Sequence, residues 1–198
     1  MNINEIKYGN IQQMIFDQPK KNIVLQSTNG SYISYGELQS LIFKTKKKFA
    51  VECFSRQLRI ALIIKTPAIS AIAFSTISCF ATVMPINSSL TEEELIFFIE
   101  DLEADFILIE KGLIIKKNKL KRKFSNKIFE AFFSSSEISS FQITGSNNKQ
   151  FSSCKKIKEE VKESEIALLL STSGTTAKPK TVPLTQKNIC CSAINISP

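Results

Sequence analysis

The chain has 198 residues, of which 43% are hydrophobic and 22% are charged, and its formal net charge is +8. This composition is typical of a globular protein, and a chain of this length buries roughly 70% of its unfolded surface around one sizeable core. Histidine is absent, which excludes Ser-His-Asp hydrolysis, Cys-His proteolysis and zinc sites that need imidazole ligands.

The five cysteines are odd in number and include no Cys-x-x-Cys pair. This pattern favours reduced, mostly buried thiols in a cytosol-like compartment over a disulfide framework. The first residues lack the apolar core of a secretory signal. We therefore expect a cytoplasmic protein that is not exported.

The first quarter of the chain predicts a β-hairpin followed by a helix. Residues 22–27 and 31–33 flank Asn29 and Gly30, and an Asn-Gly pair between two short strand-like segments is a strong hairpin signal. Ser34 and Glu37 have the spacing of a capping box, in which each residue satisfies a backbone amide near the other. The apolar stripe that follows predicts a helix that ends near residue 52.

Residues 59–109 alternate between strand and helix patterns. Residues 59–64, 83–86 and 106–109 are short apolar segments that predict buried strands. Pro67 suits the first turn of a helix reaching about residue 81, and Thr91 with Glu94 forms a second capping box. This repetition predicts an α/β fold with a doubly wound, mainly parallel sheet.

Residues 66–91 carry no charge, so a membrane-spanning helix is one alternative for this segment. Pro67, Pro85 and the many hydroxyl side chains favour instead a core helix packed on the sheet. We therefore expect no membrane span.

Residues 111–164 are rich in Lys, Ser and Asn and lose apolar periodicity, which predicts a variable surface excursion containing one helix or strand. Lysines are concentrated at residues 44–48, 116–123 and 155–158. Such runs either bind polyanions or form solvated surface, and the lack of interleaved aromatic residues favours solvated surface. A nucleic-acid partner is therefore not expected.

The segment from Ser171 to Lys180 carries most of the readable chemistry. It follows the uncharged run 166–170 and joins hydroxyl side chains to a central Gly174 and a terminal lysine. Backbone amides, hydroxyls and an ammonium group can together hold a phosphate without any histidine. The order differs from the Walker loop, which requires Gly-Lys followed by Ser or Thr. The alternative is a Ser/Thr-rich surface turn.

This segment resembles the signature loop of the adenylate-forming, AMP-binding superfamily, which includes the acyl-CoA synthetases. The matching residues are Thr172, Ser173, Gly174, Thr175, Thr176, Pro179 and Lys180. The chain departs from the pattern at Ala177 and Thr181. Residues 59–109 are similar to the N-terminal core of the same family. Residues 182–188 are most similar to its oxalate–CoA ligase and 4-coumarate–CoA ligase-like branch.

The resemblance implies a two-step reaction on a small carboxylic acid. ATP and the acid give an acyl adenylate and pyrophosphate, and the thiol of coenzyme A then displaces AMP. Magnesium is implied as well, with its ligand outside this chain, and no catalytic residue or metal ligand is assigned here. The resemblance implies that Lys180 neutralises charge on the leaving pyrophosphate and that the phosphates are wrapped by Thr172, Ser173, Gly174, Thr175 and Thr176.

We expect residues 1–198 to form a truncated N-terminal AMP-binding domain that is inactive alone, with the full-length form cytoplasmic or peroxisomal. Strands 59–64 and 166–170 should then expose apolar surface that later parts of the enzyme would cover. The alternative is a non-catalytic module that binds polyanions, or one that dimerises with a homologous full-length subunit. Cys190 and Cys191 are expected to be core thiols rather than nucleophiles.

Overall fold

The computed structural model describes residues 7–49, 57–145, 161–172 and 180–196. Within these ranges the chain forms an α/β fold with two short 3-10 turns, at Leu113–Lys116 and Ile138–Ser140. The strands are β1 (Ile23–Gln26), β2 (Tyr32–Ser34), β3 (Leu58–Ile63), β4 (Ala81–Pro85), β5 (Phe106–Glu110), β6 (Ile128–Phe133), β7 (Phe141–Gly145), β8 (Ile166–Thr172) and β9 (Lys180–Thr185). The helices are α1 (Ile11–Phe16), α2 (Tyr35–Lys48), α3 (Pro67–Ile77), α4 (Glu92–Asp101), α5 (Asn118–Lys123) and α6 (Gln186–Ile196).

The main sheet has seven strands in the order β7-β6-β5-β3-β4-β8-β9. The five central strands are parallel, while β7 and β9 run antiparallel to their neighbours at the two edges. Strand β3 lies at the centre, and the chain places β4 on one side of it and β5 on the other. The direction in which successive strands are added therefore reverses after β4, and this is the doubly wound arrangement that the alternating pattern predicts.

Helices cover both faces of the sheet. Alternate residues of β3 enter different cores, with Ile60 and Leu62 facing α1, α2, α3 and α6, and Ala61 and Ile63 facing α4 and α5. Because all four side chains are at most 3% exposed, β3 is buried on both sides. Phe49 joins the end of α2 to the first core, where its ring is 4.2 Å from the ring of Phe129.

The local signals in the sequence correspond to real element boundaries. Ser34 and Glu37 form the reciprocal capping box at the start of α2, and Thr91 and Glu94 form the same arrangement at α4. Strands β1 and β2 pair antiparallel around the predicted turn, where Gly30 has a φ of 86°. That backbone conformation is left-handed, so it favours glycine over a residue with a Cβ atom.

The helix after Pro67 is shorter than predicted. It ends at Ile77 rather than near residue 81, because Ala81 already pairs with Leu58 in the parallel ladder of β4 and β3. Pairing with a neighbouring strand therefore replaces the helical hydrogen bonds that the apolar composition alone would allow. In the part of the chain that the structure describes, no helix is both long and apolar enough to span a membrane.

The expectation of a surface excursion with one helix or strand is wrong for residues 111–145. This segment contributes α5, β6 and β7, and both strands belong to the main sheet. Ile128, Phe129 and Ala131 are buried in β6. Strand β6 is apolar at every position except Glu130, whereas β7 alternates, with Phe141 and Ile143 buried and Gln142 exposed. Residues 146–160 lie outside the described ranges.

The predicted exposure of apolar strands is wrong for β3, which is central and buried. Within residues 166–170 of β8 it is confirmed for Leu170, and Val182 of the edge strand β9, outside the predicted range, is exposed as well. Leu170 and Val182 are directly opposite each other across the hairpin of β8 and β9 and are 38% and 40% exposed. A partly exposed apolar pair at a sheet edge is a site of association in many proteins.

Candidate functional site

The candidate phosphate loop lies between two paired strand ends. Thr172 ends β8 and Lys180 begins β9, and these two residues are opposite each other in the antiparallel ladder. Residues 173–179 therefore connect the two strands of a β-hairpin. Ser173, Gly174, Thr175 and Thr176 lie outside the described residues, so their role stays a prediction.

The hairpin opens at the carboxyl edge of the parallel strands. Strand β8 is parallel to β4, which is parallel to β3, so Thr172 lies at the same edge as the ends of those strands. Open α/β sheets bind their ligands at this edge, because loops and helix amino ends meet there. The side chain of Lys180 is exposed at this position. The structure therefore places a cation at the edge where the sequence predicts phosphate binding.

A fixed carboxylate lies at the same edge of the sheet. Glu110, at the end of β5, accepts hydrogen bonds from the Thr66 hydroxyl at 2.6 Å and from the backbone amides of Lys65 and Thr66, both at 2.8 Å. Partial burial acts to raise the pKa of Glu110, but these hydrogen bonds outweigh it and lower the pKa. Glu110 therefore stabilises the amino end of α3 as an anion, and its three bound donors make it a poor general base.

Gln186 fixes the position of the chain after the hairpin. Its side chain is fully buried, donates to the carbonyl oxygen of Ser78 at 2.8 Å and accepts from the amide of Ile11 at 3.1 Å. The amide of Ile11 is in the first turn of α1, where no intrahelical acceptor exists. Gln186 thus ties α6 to α1 and to the end of α3. In the sequence, Gln186 is marked only by its position within residues 182–188, the segment that resembles the family. No local pattern predicts its contacts with Ser78 and Ile11.

The start of α6 is also capped. The Thr185 amide and hydroxyl both donate to the Asn188 side-chain oxygen, at 3.0 and 2.8 Å, while the Asn188 amide donates to the Thr185 hydroxyl oxygen at 3.2 Å. At the other end of β8, the Thr82 hydroxyl donates to the carbonyl oxygen of Ile166 at 2.7 Å. The hairpin is therefore anchored at its base, while its tip holds the candidate phosphate-binding residues.

Burial disfavours a nucleophilic role for the cysteine of α6 nearest the core. Cys190 is buried, and burial raises the pKa of its thiol to about 11. The same cause raises the pKa of Cys79 to about 12. A thiol with such a pKa is almost entirely protonated at neutral pH, so the thiolate needed for attack is scarce. The expectation of a core thiol is confirmed for Cys190, and Cys191 is partly exposed.

The described residues fit a polyanion but supply no metal site. Lys180 is an exposed cation at the mouth of the hairpin, and Lys65 is a second exposed cation at the end of β3. Across the described part of the chain, no group of three Cys, Asp or Glu side chains could hold a metal ion.

Comparison with known proteins identifies the class to which this fold and edge site belong. Residues 15–197 match the profile of the family described as AMP-binding enzyme. The oxalate–CoA ligase of Saccharomyces cerevisiae is 30% identical over 132 residues, covering 57% of this chain and 24% of that protein. The chain therefore spans about a quarter of the length of this curated relative.

Solved structures show the same fold. Apo MatB from Rhodopseudomonas palustris superposes with a TM-score of 0.72 at 16% identity, covering 95% of this chain and 37% of that one. O-succinylbenzoate coenzyme A synthetase from Bacillus subtilis, in complex with ATP and magnesium ion, gives a TM-score of 0.63 at 17% identity, covering 93% and 45%. The chain belongs to the AMP-binding, adenylate-forming family, and its mostly parallel sheet is the N-terminal part of that fold.

Proposed function

We propose that the protein of which this chain forms the N-terminal part is an ATP-dependent carboxylate–CoA ligase. In this reaction a carboxylate attacks ATP to give an acyl adenylate and pyrophosphate, and the thiol of coenzyme A then displaces AMP. The observation that carries the proposal is the position of the signature segment, between the paired residues Thr172 and Lys180 at the carboxyl edge of the sheet. Family membership and the oxalate–CoA ligase relative support the same reaction class.

The contribution of this segment is to hold the triphosphate. Thr172, Ser173, Gly174, Thr175 and Thr176 would surround the terminal phosphates with amide and hydroxyl donors. Lys180 would place its ammonium group against the charge that develops on leaving pyrophosphate. Charge-assisted contacts of this kind stabilise a transition state when the donors are fixed in advance. The anchored base of the hairpin supplies that fixed frame.

We further propose that the 198-residue chain does not complete adenylation by itself. It covers 37% of the aligned chain of MatB, so most of the length of that related structure has no counterpart in it. The test is carboxylate-dependent exchange of labelled pyrophosphate into ATP by the purified chain. No exchange is expected with oxalate, malonate or a fatty acid. Exchange above a no-enzyme control would contradict this part of the proposal.

The second candidate function is association with a homologous full-length subunit. The observation that favours it is the apolar pair Leu170 and Val182, which is more than one third exposed on the edge hairpin. Sedimentation velocity of the chain mixed with a full-length relative tests this candidate. A complex that forms with the relative but not with an unrelated α/β protein would support it, whereas independent sedimentation would remove it.

A further inference from the structure

A basic cleft lies at the edge of the fold remote from the signature hairpin. Its volume is about 570 Å³, and it lies between helix α2 and the 3-10 turn with strand β7. Strands β7 and β9 are at opposite ends of the seven-strand order. Six steps of roughly 4.8 Å between neighbouring strands put β7 and β9 roughly 29 Å apart. The cleft is therefore separate from the site proposed for triphosphate.

One wall of this α2 cleft is cationic. Lys44, Lys47 and Lys48 project from the last turns of α2 and line it. The carboxylate of Glu37, also in the wall, is engaged by the Ser34 amide and hydroxyl in the helix cap, both at 2.7 Å. Within the described residues, neither Lys44 nor Lys47 forms an ion pair with an acidic side chain. Among the described residues that line it, the cleft therefore has three lysines and one carboxylate.

Two of these lysines lie close enough to repel each other. Lys48 donates through its Nζ atom to the carbonyl oxygen of Ile143, which holds the base of the cleft together. Its partial burial, and then the charge of Lys44, lower the pKa of Lys48. The dipole of α2 favours cations at the carboxyl end of the helix, which is one reason for lysines at these positions. It does not explain why the lysines line a cavity. An anion beside Lys44 would offset its repulsion of Lys48.

The floor of the cleft is apolar. Ile33, Phe141 and Ile143 are buried beneath it, and Leu41 lies partly exposed on the wall between the lysines and the floor. A volume of this size is within the range of small-molecule sites, which combine apolar walls with a few placed polar groups. A purely solvated lysine surface would not need such a floor.

We propose that the α2 cleft binds small amphipathic anions, in which a carboxylate or phosphate head meets Lys44 and Lys47 and a short apolar body lies on Leu41 and Phe141. The proposal extends beyond the ligase reaction and does not depend on it, because the cleft and the signature hairpin are at opposite edges of the sheet. The head group and the apolar body of the ligand can be tested separately. The charge of the head group should affect affinity through the lysines, and the length of the apolar body should affect it through the floor.

The test is isothermal titration calorimetry of the full 198-residue chain with inorganic phosphate, and with octyl phosphate and octanoate below their micellar concentrations. We expect octyl phosphate to bind at least tenfold more tightly than inorganic phosphate, because its methylene groups are removed from water on the apolar floor. Comparison of octyl phosphate with octanoate shows which head group is preferred. Raising the salt concentration should weaken the binding of octyl phosphate and of octanoate, since the lysines are exposed.

The variant Lys44→Ala/Lys47→Ala should weaken octyl phosphate binding about tenfold, in keeping with charged contacts that solvent partly screens. Its matched control is Lys121→Ala/Lys162→Ala, which removes the same charge from exposed positions away from the cleft. The control should change binding by less than twofold. Leu41→Ser should weaken octyl phosphate binding but leave inorganic phosphate unchanged.

Three results would overturn the proposal. One is the absence of binding, and another is equal affinity for octyl phosphate and inorganic phosphate. The third is an equal loss of affinity in the two double variants, which would show that net charge rather than the cleft attracts the anion. Circular dichroism of each variant establishes that the compared proteins are folded.

Discussion

Replacing Gln186 with methionine should destabilise the fold more than its position at a helix start suggests. The variant keeps a side chain of similar size but removes the donor to Ser78 and the acceptor from Ile11, which are bonded at 2.8 and 3.1 Å. Two buried hydrogen bonds contribute about 2 kcal/mol, and the loss rises to about 4 kcal/mol if both backbone groups remain unpaired. We therefore expect the free energy of unfolding to fall by about 2–4 kcal/mol.

Urea unfolding followed by circular dichroism measures this loss. The control is Asn188→Ala, which removes an exposed cap two residues away and should cost about 1 kcal/mol. The larger effect is expected at Gln186 because its partners are 175 and 108 residues away in sequence, so their loss loosens α1 and α3 as well as α6. A Gln186→Met protein as stable as the wild type, or no less stable than the control, would refute this reasoning.

Three further predictions concern pH, association and thiols. Because the folded state lowers the pKa of Glu110, its contribution to stability is present above the ordinary value of 4.5 and lost as pH falls through the lower folded value. Glu110→Gln should therefore reduce the melting temperature at pH 7 and flatten its acid-side decline, and parallel wild-type and variant curves would be inconsistent with this. Leu170→Thr with Val182→Thr should reduce self-association in sedimentation velocity, and an unchanged profile would mean that the exposed pair is not the contact. Iodoacetamide at pH 8 should label Cys191 before Cys79, whose pKa burial raises to about 12, and equal rates in the folded protein would show that Cys79 is accessible.

The elements that could be predicted from sequence are those set by local chemistry. The capping boxes at Ser34 and Thr91 depend on side chains three residues apart, and the turn at Gly30 depends on one backbone conformation. The parallel strands were recognisable because central strands are apolar on both faces. The signature segment was recognised from residue order, and its placement between Thr172 and Lys180 agrees with a hairpin at the carboxyl edge.

The rest depends on contacts between distant parts of the chain. Strands β6 and β7 extend the sheet although their segment is rich in lysine and serine, because a few residues such as Ile128 and Ala131 suffice to fill the core beside β5. The central position of β3 depends on the strand order, which no local pattern specifies. In the sequence, Gln186 is an ordinary polar residue. Its buried contacts depend on the positions of α1 and α3 in the fold. The α2 cleft likewise requires β7 to lie beside α2.

The central claim is that the segment between Thr172 and Lys180 holds the phosphates of ATP. Its most direct test uses a chimera in which a full-length relative supplies the residues that follow this chain in the family. Carboxylate-dependent exchange of pyrophosphate into ATP is then compared for the chimera, Lys180→Ala and Lys178→Ala. A charge-assisted contact contributes roughly 1.5–3 kcal/mol, which corresponds to about ten- to a hundredfold.

We expect Lys180→Ala to lower exchange by that factor, with an unchanged circular dichroism spectrum, while Lys178→Ala retains most of the activity. Equal and small effects of the two substitutions would contradict the account, because they would show that this hairpin no longer binds pyrophosphate through Lys180.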